Sequence, residues 1–397
     1  MRKLFILLFF IPSIVSSQVG DDANPPESIH KKTVNQSNTI INKIHKESID
    51  QSIKISSDRN RRDASFSKNK SILKIAFGSC ASQTHKLPIF NNVVNHQPDI
   101  FIFLGDNIYG DTKDMDELKE KYNQLSEKES YKNLKKNVPI IATWDDHDYG
   151  WNDIGKNYKY KEESKEIFLD FFDVSENSSR RVHEGIYGSY NYKLDDMTVK
   201  IILLDQRTFR DDLVNYKGEF NSDNRYSFYK QDYAPHKDTT TTILGKEQWL
   251  WLENELNNPA DIRIIATGTQ FGIEWNGYEA WANFPHEQQR MLDLINKTKA
   301  NGVFFISGDV HYSEISKIQT DFYPIYDFTS SGLSSTWKFA TPNKNRIEGP
   351  IMENHFGLIT INSQSKIPTI LMETWDIDDN QRLEYIINLQ DLQFNKE

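Results

Sequence analysis

Three short stretches of the sequence combine carboxylates with histidine in patterns that suit metal chemistry. Asp106 follows an apolar run and a glycine. Asp146 and His147 lie within a run of three acids and one histidine that is flanked by tryptophans. Asp309 and His311 are separated by a single residue, so on an extended segment both side chains point to the same side. Together these residues predict a two-metal site, which can hold the attacking and leaving oxygens of a phosphoryl displacement.

Each of these stretches lies at the end of a segment that predicts a buried β-strand. Short β-rich apolar runs occur at residues 73–77, 100–104, 138–142, 199–204, 262–266 and 303–306. Helical periodicity lies between them, and this alternation predicts an α/β architecture. After residue 312 the pattern predicts successive strands without long helices. Open α/β sheets build their sites beyond the carboxyl ends of the strands, so we expect the polar residues to meet there.

The order of the strand-end motifs resembles that of a known family. The motifs are Phe77-Gly-Ser-Cys80, Gly105-Asp-Asn-Ile-Tyr109, Trp144-Asp-Asp-His-Asp148, Leu204-Asp-Gln-Arg207 and Ser307-Gly-Asp-Val-His311. This series is similar to that of the PhoD-like alkaline phosphatases, within the calcineurin-like metallophosphoesterase superfamily. The resemblance runs from about residue 73 to 315, with a plausible tail to 390. It implies a four-layer αββα sandwich that hydrolyses phosphate monoesters, phosphate diesters or both.

The resemblance also implies the metals and the residues around them. The ligands that it implies for a ferric ion, Fe(3+), are Cys80, Asp106, Tyr109 and His311. The ligands that it implies for calcium, Ca(2+), are Asp106, Asp146 and Asp309. Carboxylates suit calcium because it is a hard cation that prefers oxygen.

Two further residues receive catalytic roles from the same resemblance. His147 would stabilise the transition state or protonate the leaving group, as a histidine beside a metal can. Arg207 follows a predicted strand and could hold the phosphate through its planar guanidinium. The family usually has Asp-Thr-Arg where this chain has Asp-Gln-Arg, which is a mild change.

Other interpretations of the same residues remain open. Cys80 is the single cysteine, and the count alone favours a buried thiol over a metal ligand or an intermolecular link. A catalytically inactive, secreted calcium-binding protein on the same scaffold would bind metal without turnover. A serine hydrolase is less well supported, because no Gly-x-Ser-x-Gly motif occurs.

The amino terminus and the charge indicate where the protein acts and on what. Residues 1–17 read as a signal peptide cleaved near Ser17, which predicts a secreted or extracytoplasmic protein. We predict that residues 18–72 are a polar, flexible leader and that residues 73–397 form the PhoD-like metallophosphoesterase domain. The net charge of -10 argues against nucleic acid as a partner. No apolar run is long enough for a stable membrane span. The expected partner is a phosphate ester substrate.

Overall fold

A computed structural model describes residues 65–66, 70–218 and 232–394. The predicted signal peptide and almost all of the predicted leader therefore lie outside the described residues. Within the described ranges the strands, in chain order, are β1 (Ser65–Phe66), β2 (Ile72–Gly78), β3 (Ile100–Leu104), β4 (Ile140–Thr143), β5 (Gly188–Leu194), β6 (Met197–Leu203), β7 (Val214–Asn215), β8 (Tyr233–Ala234), β9 (Ile262–Thr267), β10 (Val303–Ser307), β11 (Ser313–Ile318), β12 (Ile325–Ser330), β13 (Arg346–Ile351), β14 (His355–Asn362), β15 (Thr369–Asp376) and β16 (Gln381–Asn388).

The helices of the described residues lie mostly between the strands of the first 310 residues. They are α1 (Ile89–Asn95), α2 (Met115–Ser126), α3 (Glu129–Asn137), α4 (Asp146–Tyr149), α5 (Lys161–Phe171), α6 (Gly245–Asn257) and α7 (Pro285–Thr298). Short 3-10 turns occur at Ser179–Arg181, Trp281–Asn283 and Leu389–Leu392. No described helix combines the length and the apolar character needed to cross a bilayer.

Two large sheets organise the fold. The six-stranded sheet has the order β16-β15-β14-β2-β3-β4, and the eight-stranded sheet has the order β1-β5-β6-β9-β10-β12-β11-β13. In the first sheet β2, β3 and β4 are parallel, with Ile75 opposite Ile100 and Phe101 opposite Ile140. In the second, β6, β9, β10 and β12 are parallel. Parallel pairing places the carboxyl ends of these strands at a common edge of each sheet.

The side chains of β3 show why the sheets stack and why helices cover them. Ile100, Ile102 and Leu104 point into the core that they share with the eight-stranded sheet. Phe101 and Phe103 point the other way, into the core formed with α1, α2, α3 and α5. Phe103 packs edge-on against Phe90 of α1, at 5.8 Å between ring centroids. This alternation is the two-residue period of a strand that is buried on both faces.

The two sheets face each other, and helices cover both outer faces. Phe77 of β2 meets Phe328 of β12 edge-on, with ring centroids 5.0 Å apart. On the far side, α6 and α7 pack through Leu252 and Met291 onto the core of the eight-stranded sheet. The layers are therefore helices, sheet, sheet and helices, which confirms the predicted four-layer αββα sandwich.

The helices form where the apolar period and the caps agree. In α2, Asp114 caps the first turn by accepting hydrogen bonds from the backbone N–H groups of Asp116 and Glu117. Leu118, Tyr122 and Leu125 then form its buried stripe. Pro285 occupies the first turn of α7, where its missing N–H costs nothing. These stripes agree with the helical periodicity predicted from the sequence.

Candidate metal centre

Three of the predicted ligands follow directly from strand ends. Cys80 lies two residues beyond β2, Asp106 two residues beyond β3, and Asp309 two residues beyond β10. Asp146 begins the short helix α4 just after β4. Since β2, β3 and β4 are adjacent and parallel, their exits meet, and the exit of β10 joins them from the other sheet.

The backbone at these exits is held in an unusual conformation. Cys80, Asp106, Asp309 and His311 have φ values of 61°, 49°, 73° and 57°. This left-handed region is sparsely populated by residues other than glycine, and such residues concentrate at functional sites. The neighbouring Gly105 cannot carry a side chain, because a Cβ there would lie 2.4 Å from Cβ of Asp145. The β3 exit thus places Asp106 where an unstrained extended chain would not.

One group of potential ligands combines sulfur, nitrogen and oxygen. Ligand atoms of Cys80, Asp106 and His311 all lie within 4.8 Å of one another. The thiol of Cys80 donates to Oδ2 of Asp106 at 3.3 Å. The phenol oxygen of Tyr109 lies 3.2 Å from Nε2 of His311, on the edge of this group. The structure therefore brings together the four residues predicted to hold the ferric ion.

Two further groups contain mainly carboxylates. Asp106, Asp146 and His147 form the second, and Asp146, Asp153 and Glu279 form the third, each within 4.8 Å. Asp106 belongs to the first and second groups, and Asp146 belongs to the second and third. A carboxylate has two oxygens, so each of these aspartates can bridge neighbouring cations.

Asp153 and Glu279 were not identified from the sequence. Neither follows a strand end, and Glu279 lies in an irregular segment between β9 and α7. The one local signal is the backbone of Asp153, whose φ of 57° is again left-handed. That signal becomes visible only with the structure.

The predicted calcium ligand Asp309 lies outside these three groups. Its backbone oxygen accepts the thiol of Cys80 at 3.7 Å. Burial raises the pKa of its carboxyl well above the usual value, and the charges of Asp145 and Glu279 raise it further. Asp309 is thus close to the acidic cluster, and its coordination of calcium stays a prediction.

Carboxylate oxygens that are buried without a hydrogen-bond donor indicate whether this set of residues fits a cation. Among the described residues, Oδ1 of Asp106, Oδ1 of Asp146 and Oε2 of Glu279 are buried without a hydrogen-bond partner. A buried carboxylate oxygen without a donor is costly in a medium of low dielectric constant. Cations bound among these oxygens would remove that cost, so the residues fit a metal centre.

His147 stands at the exposed side of the second group. Its Nδ1 lies 2.7 Å from Oδ1 of Asp111, and its ring lies 4.5 Å from the ring of Tyr109. Burial lowers the pKa of His147, but the hydrogen bond to Asp111 and the charge of Asp146 outweigh it and raise the pKa to about 9. Cations at Asp146 would weaken the charge effect and leave the Asp111 bond. Sequence reasoning assigned no role to Asp111.

Arg207 is fully buried and already paired. Its guanidinium lies 2.5 Å from Oδ1 of Asp145 and 2.8 Å from Oε1 of Glu279. Its distance to Oδ1 of Asp146 is 3.8 Å. Arg210 adds a second contact to Glu279, at 3.2 Å. The structure therefore shows Arg207 as a residue that neutralises and positions the carboxylates of the site, while a direct contact with phosphate stays a prediction.

Comparison with known proteins shows the family of the chain. The model of a family described as PhoD-like phosphatase matches residues 75–354. The chain belongs to the PhoD-like phosphatase family. Alkaline phosphatase D of Bacillus subtilis (strain 168) is 24% identical over 288 residues, which are 63% of this chain and 48% of that protein. The chain therefore spans about half the length of this curated relative. The solved structure of PhoD superposes with a TM-score of 0.64 at 16% identity, over 83% of this chain and 72% of that chain, and shows the same fold.

Several side chains of this PhoD-like site resist ionisation when no cation is present, whereas the effect of burial on Asp146 is outweighed by the charge of Arg207 together with neighbouring charges and hydrogen bonds, which lower its pKa to about 2. Burial raises the pKa of Asp145 to about 8 and that of Asp153 to about 8. Burial also raises the pKa of the Cys80 thiol to about 12. Binding of a cation would reverse these shifts, because metal ligands must be deprotonated. Metal binding at this centre should therefore release protons.

One acid of the histidine motif has a structural role instead. Asp148 accepts hydrogen bonds from the backbone N–H groups of Asn107 and Asp145 and from the hydroxyl of Tyr122, at 3.0 to 3.2 Å. It belongs to none of the three ligand groups. Asp148 thus ties the exit of β3 to the exit of β4 and holds the ligand-bearing segments in register.

A buried histidine, His355, contacts the metal centre through Ser331. Ser331 donates its backbone N–H to Nε2 of His355 at 3.2 Å, and its hydroxyl lies 3.2 Å from the sulfur of Cys80. The other nitrogen of His355, Nδ1, lies 2.7 Å from the backbone oxygen of Glu353. The neutral ring satisfies both contacts, since one nitrogen accepts and the other donates. Burial accordingly lowers the pKa of His355 to about 4.

This histidine predicts a specific loss of stability in acid. The unfolded imidazole titrates near 6.5, so between pH 6.5 and pH 4 the unfolded state binds more protons than the folded state. The free energy of unfolding should therefore fall by about 2 kcal/mol from pH 7.5 to pH 5 because of His355 alone. The measurement is urea unfolding of the wild type and of His355→Gln at both pH values. Equal pH dependence in the two proteins would show that His355 does not contribute.

Proposed function

We propose that this protein is a metal-dependent phosphoesterase that hydrolyses phosphate monoesters, phosphate diesters or both. The observation that carries the proposal is the pair Asp106 and Asp146, each shared by two ligand groups and each with a buried oxygen that accepts no hydrogen bond. Shared carboxylates hold cations close together, as in two-metal sites that act on phosphate esters. Membership of the PhoD-like phosphatase family supports the same reaction class.

The donor chemistry supports a ferric ion in one group and calcium in the next. The first group offers a thiol, an imidazole and a carboxylate, with the phenol of Tyr109 at its edge. Thiolate and phenolate are the donors expected for Fe(3+). The ligands proposed for Ca(2+) are Asp106, Asp146 and Asp309, and the neighbouring Asp153 and Glu279 add oxygen donors that calcium prefers.

Bound cations would neutralise the phosphate oxygens and lower the pKa of a bound water. The residues of the chain then have separate tasks. Asp111 orients the ring of His147 through Nδ1, which leaves Nε2 to donate a proton to the departing alcohol. Arg207 neutralises Asp145 and Glu279, so that fewer uncompensated negative charges oppose an incoming phosphate. Burial of Cys80 and Asp106 keeps bulk water away from the ligands.

Secretion belongs to the same proposal. Its support is the short positive start, the apolar run and the small residues near Ser17. An oxidising exterior would also suit a ferric ion. Fractionation of the native host, with detection in the medium or beyond the inner membrane, tests this directly. Recovery of the full-length chain from the cytosol would contradict it.

The first experiment compares nitrophenyl phosphate with bis(nitrophenyl) phosphate on the same metal-loaded sample. Both substrates release nitrophenol, so one absorbance assay follows both reactions and compares a phosphate monoester with a phosphate diester. Preference for the diester would direct the search towards phosphodiesters, and preference for the monoester would indicate a phosphate-releasing enzyme. Turnover of neither, in protein shown to contain metal, would favour an inactive calcium-binding protein instead.

Removal of the metals is expected to destabilise the fold. Without a cation, Asp106 and Asp146 keep buried carboxylate oxygens that accept no hydrogen bond, which is costly in a medium of low dielectric constant. Ligands present at about a thousand times their Kd stabilise a protein by about 4 kcal/mol, which for a domain of this size is a Tm shift of about 5 °C. Thermal unfolding before and after EDTA dialysis, followed by readdition of Fe(3+) and Ca(2+), measures it. An unchanged Tm after confirmed metal removal would contradict the proposed centre.

A further inference from the structure

The predicted site residues differ in how far they are buried. Cys80, Asp106 and Asp146 at the floor are buried. Tyr109, His147 and His311 are half-buried. A phosphate bound by the buried ligands would therefore lie close to these three rings, with the rest of the ester beyond them.

Beside His311 the rim continues into a group of aromatic side chains. The ring of Trp337 lies 5.3 Å from the ring of His311, 5.5 Å from that of Tyr278 and 5.4 Å from that of Phe339. Trp337 is half-buried, and Phe339 is 42% exposed. We call Tyr278, Trp337 and Phe339 the aromatic shelf. Aromatic side chains beside convergent polar groups are the usual composition of a ligand site.

The shelf is fixed to the metal ligands by hydrogen bonds. The backbone N–H of Trp337 donates to the carbonyl oxygen of His311 at 3.2 Å. Two residues earlier, the hydroxyl of Ser335 accepts from the phenol of Tyr109 at 3.4 Å. Both predicted iron ligands on the rim thus hold the segment that carries Trp337. The indole is positioned relative to the metal centre and does not depend on a free loop.

We propose that Trp337 binds the alcohol portion of the substrate by stacking, so that the enzyme selects phosphate esters whose alcohol carries an aromatic or flat apolar group. This inference rests on the proposed phosphoesterase function and adds the substrate class. An indole face stacks favourably on flat rings and offers little to a small polar alcohol. The phosphate oxygens are bound by the metal centre in both cases, so the shelf affects only the alcohol side.

Two phosphonates that share a head group separate these contributions. Phenylphosphonate carries a ring, methylphosphonate does not, and neither is hydrolysed. Isothermal titration of the metal-loaded protein with each compound measures binding without turnover. The wild type should bind phenylphosphonate more tightly. Trp337→Ala should weaken phenylphosphonate about tenfold and methylphosphonate less than twofold, while Trp337→Phe should restore most of the loss.

Trp375 provides a matched control. It is also half-buried, and its ring lies 4.3 Å from the ring of His96, which is not one of the ligands of the metal centre. Trp375→Phe should leave both affinities unchanged. An equal loss of both phosphonates in Trp337→Ala would overturn the inference, because Trp337 would then act only through His311. Failure of the wild type to bind either phosphonate would overturn both the inference and the proposed function, whereas binding without discrimination would overturn the shelf alone.

Discussion

Replacement of Asp106 by asparagine is expected to lower kcat/KM by about 10³-fold or more and to reduce the metal content of the purified protein. Asp106 contributes to two of the three ligand groups, so one substitution removes a negative ligand from two cations. A loss of 10³ corresponds to about 4 kcal/mol of transition-state stabilisation, which is within the effect of charge neutralisation at phosphate. The fold should persist, because asparagine has nearly the same shape. Elemental analysis and steady-state kinetics on the same preparation measure both effects.

Asp148→Asn is the matched control for Asp106→Asn. Asp148 is equally buried and lies in the neighbouring exit, but it accepts structural hydrogen bonds from Asn107, Asp145 and Tyr122. Its replacement should lower the free energy of unfolding by about 1–3 kcal/mol and leave the metal content intact. Full metal content and unchanged turnover in Asp106→Asn would show that Asp106 is not a ligand.

Replacement of His147 by alanine is expected to lower kcat by about 10²–10⁴-fold with the metals retained. The size of the loss should depend on the leaving group. Nitrophenolate departs with little protonation, whereas an alkyl alcohol needs a proton. A general acid therefore matters more for the alkyl ester. The same loss for both esters would assign His147 to charge stabilisation only.

The partner of His147 makes this prediction more specific. In the wild type, the hydrogen bond from Asp111 orients the ring of His147 and raises the pKa of His147. Asp111→Asn weakens this hydrogen bond and should therefore lower that pKa. We expect a smaller loss than in His147→Ala, about tenfold, together with a shift of the alkaline limb of the pH profile to lower pH.

His96 is a close control for His147. Its side chain is 15% exposed and pairs with Asp379 at 2.9 Å, compared with 17% and 2.7 Å for His147 and Asp111. His96 belongs to none of the three ligand groups. His96→Ala should therefore retain wild-type kcat. A similar loss in both variants would mean that the effect reports on general stability.

The sequence alone was sufficient for the features that follow from local rules. The apolar runs ending at Leu104 and Ser307 predicted buried strands, because a strand buried on both faces needs consecutive apolar residues. Polar residues directly after such strands had to meet at one edge of a parallel sheet. Asp106 and Asp146 meet in this way, whereas His311 was identified after a strand of the other sheet, β10, and reaches the same point only because the two sheets stack. The family resemblance then added Cys80 and Tyr109 as expected ligands of the same metal centre.

The tertiary structure alone decided which charges are paired and which are left for cations. Arg207 contacts Asp145 and Glu279, which are separated from it by 62 and 72 residues of chain. No local period encodes such pairs. The sequence is therefore equally compatible with an Arg207 that holds phosphate and with an Arg207 that holds carboxylates. Asp153 entered the site for the same reason, through a loop that packs against the cluster and not through a strand exit. Pairing of buried charges depends on distances across the fold, and those exist only once the two sheets have stacked.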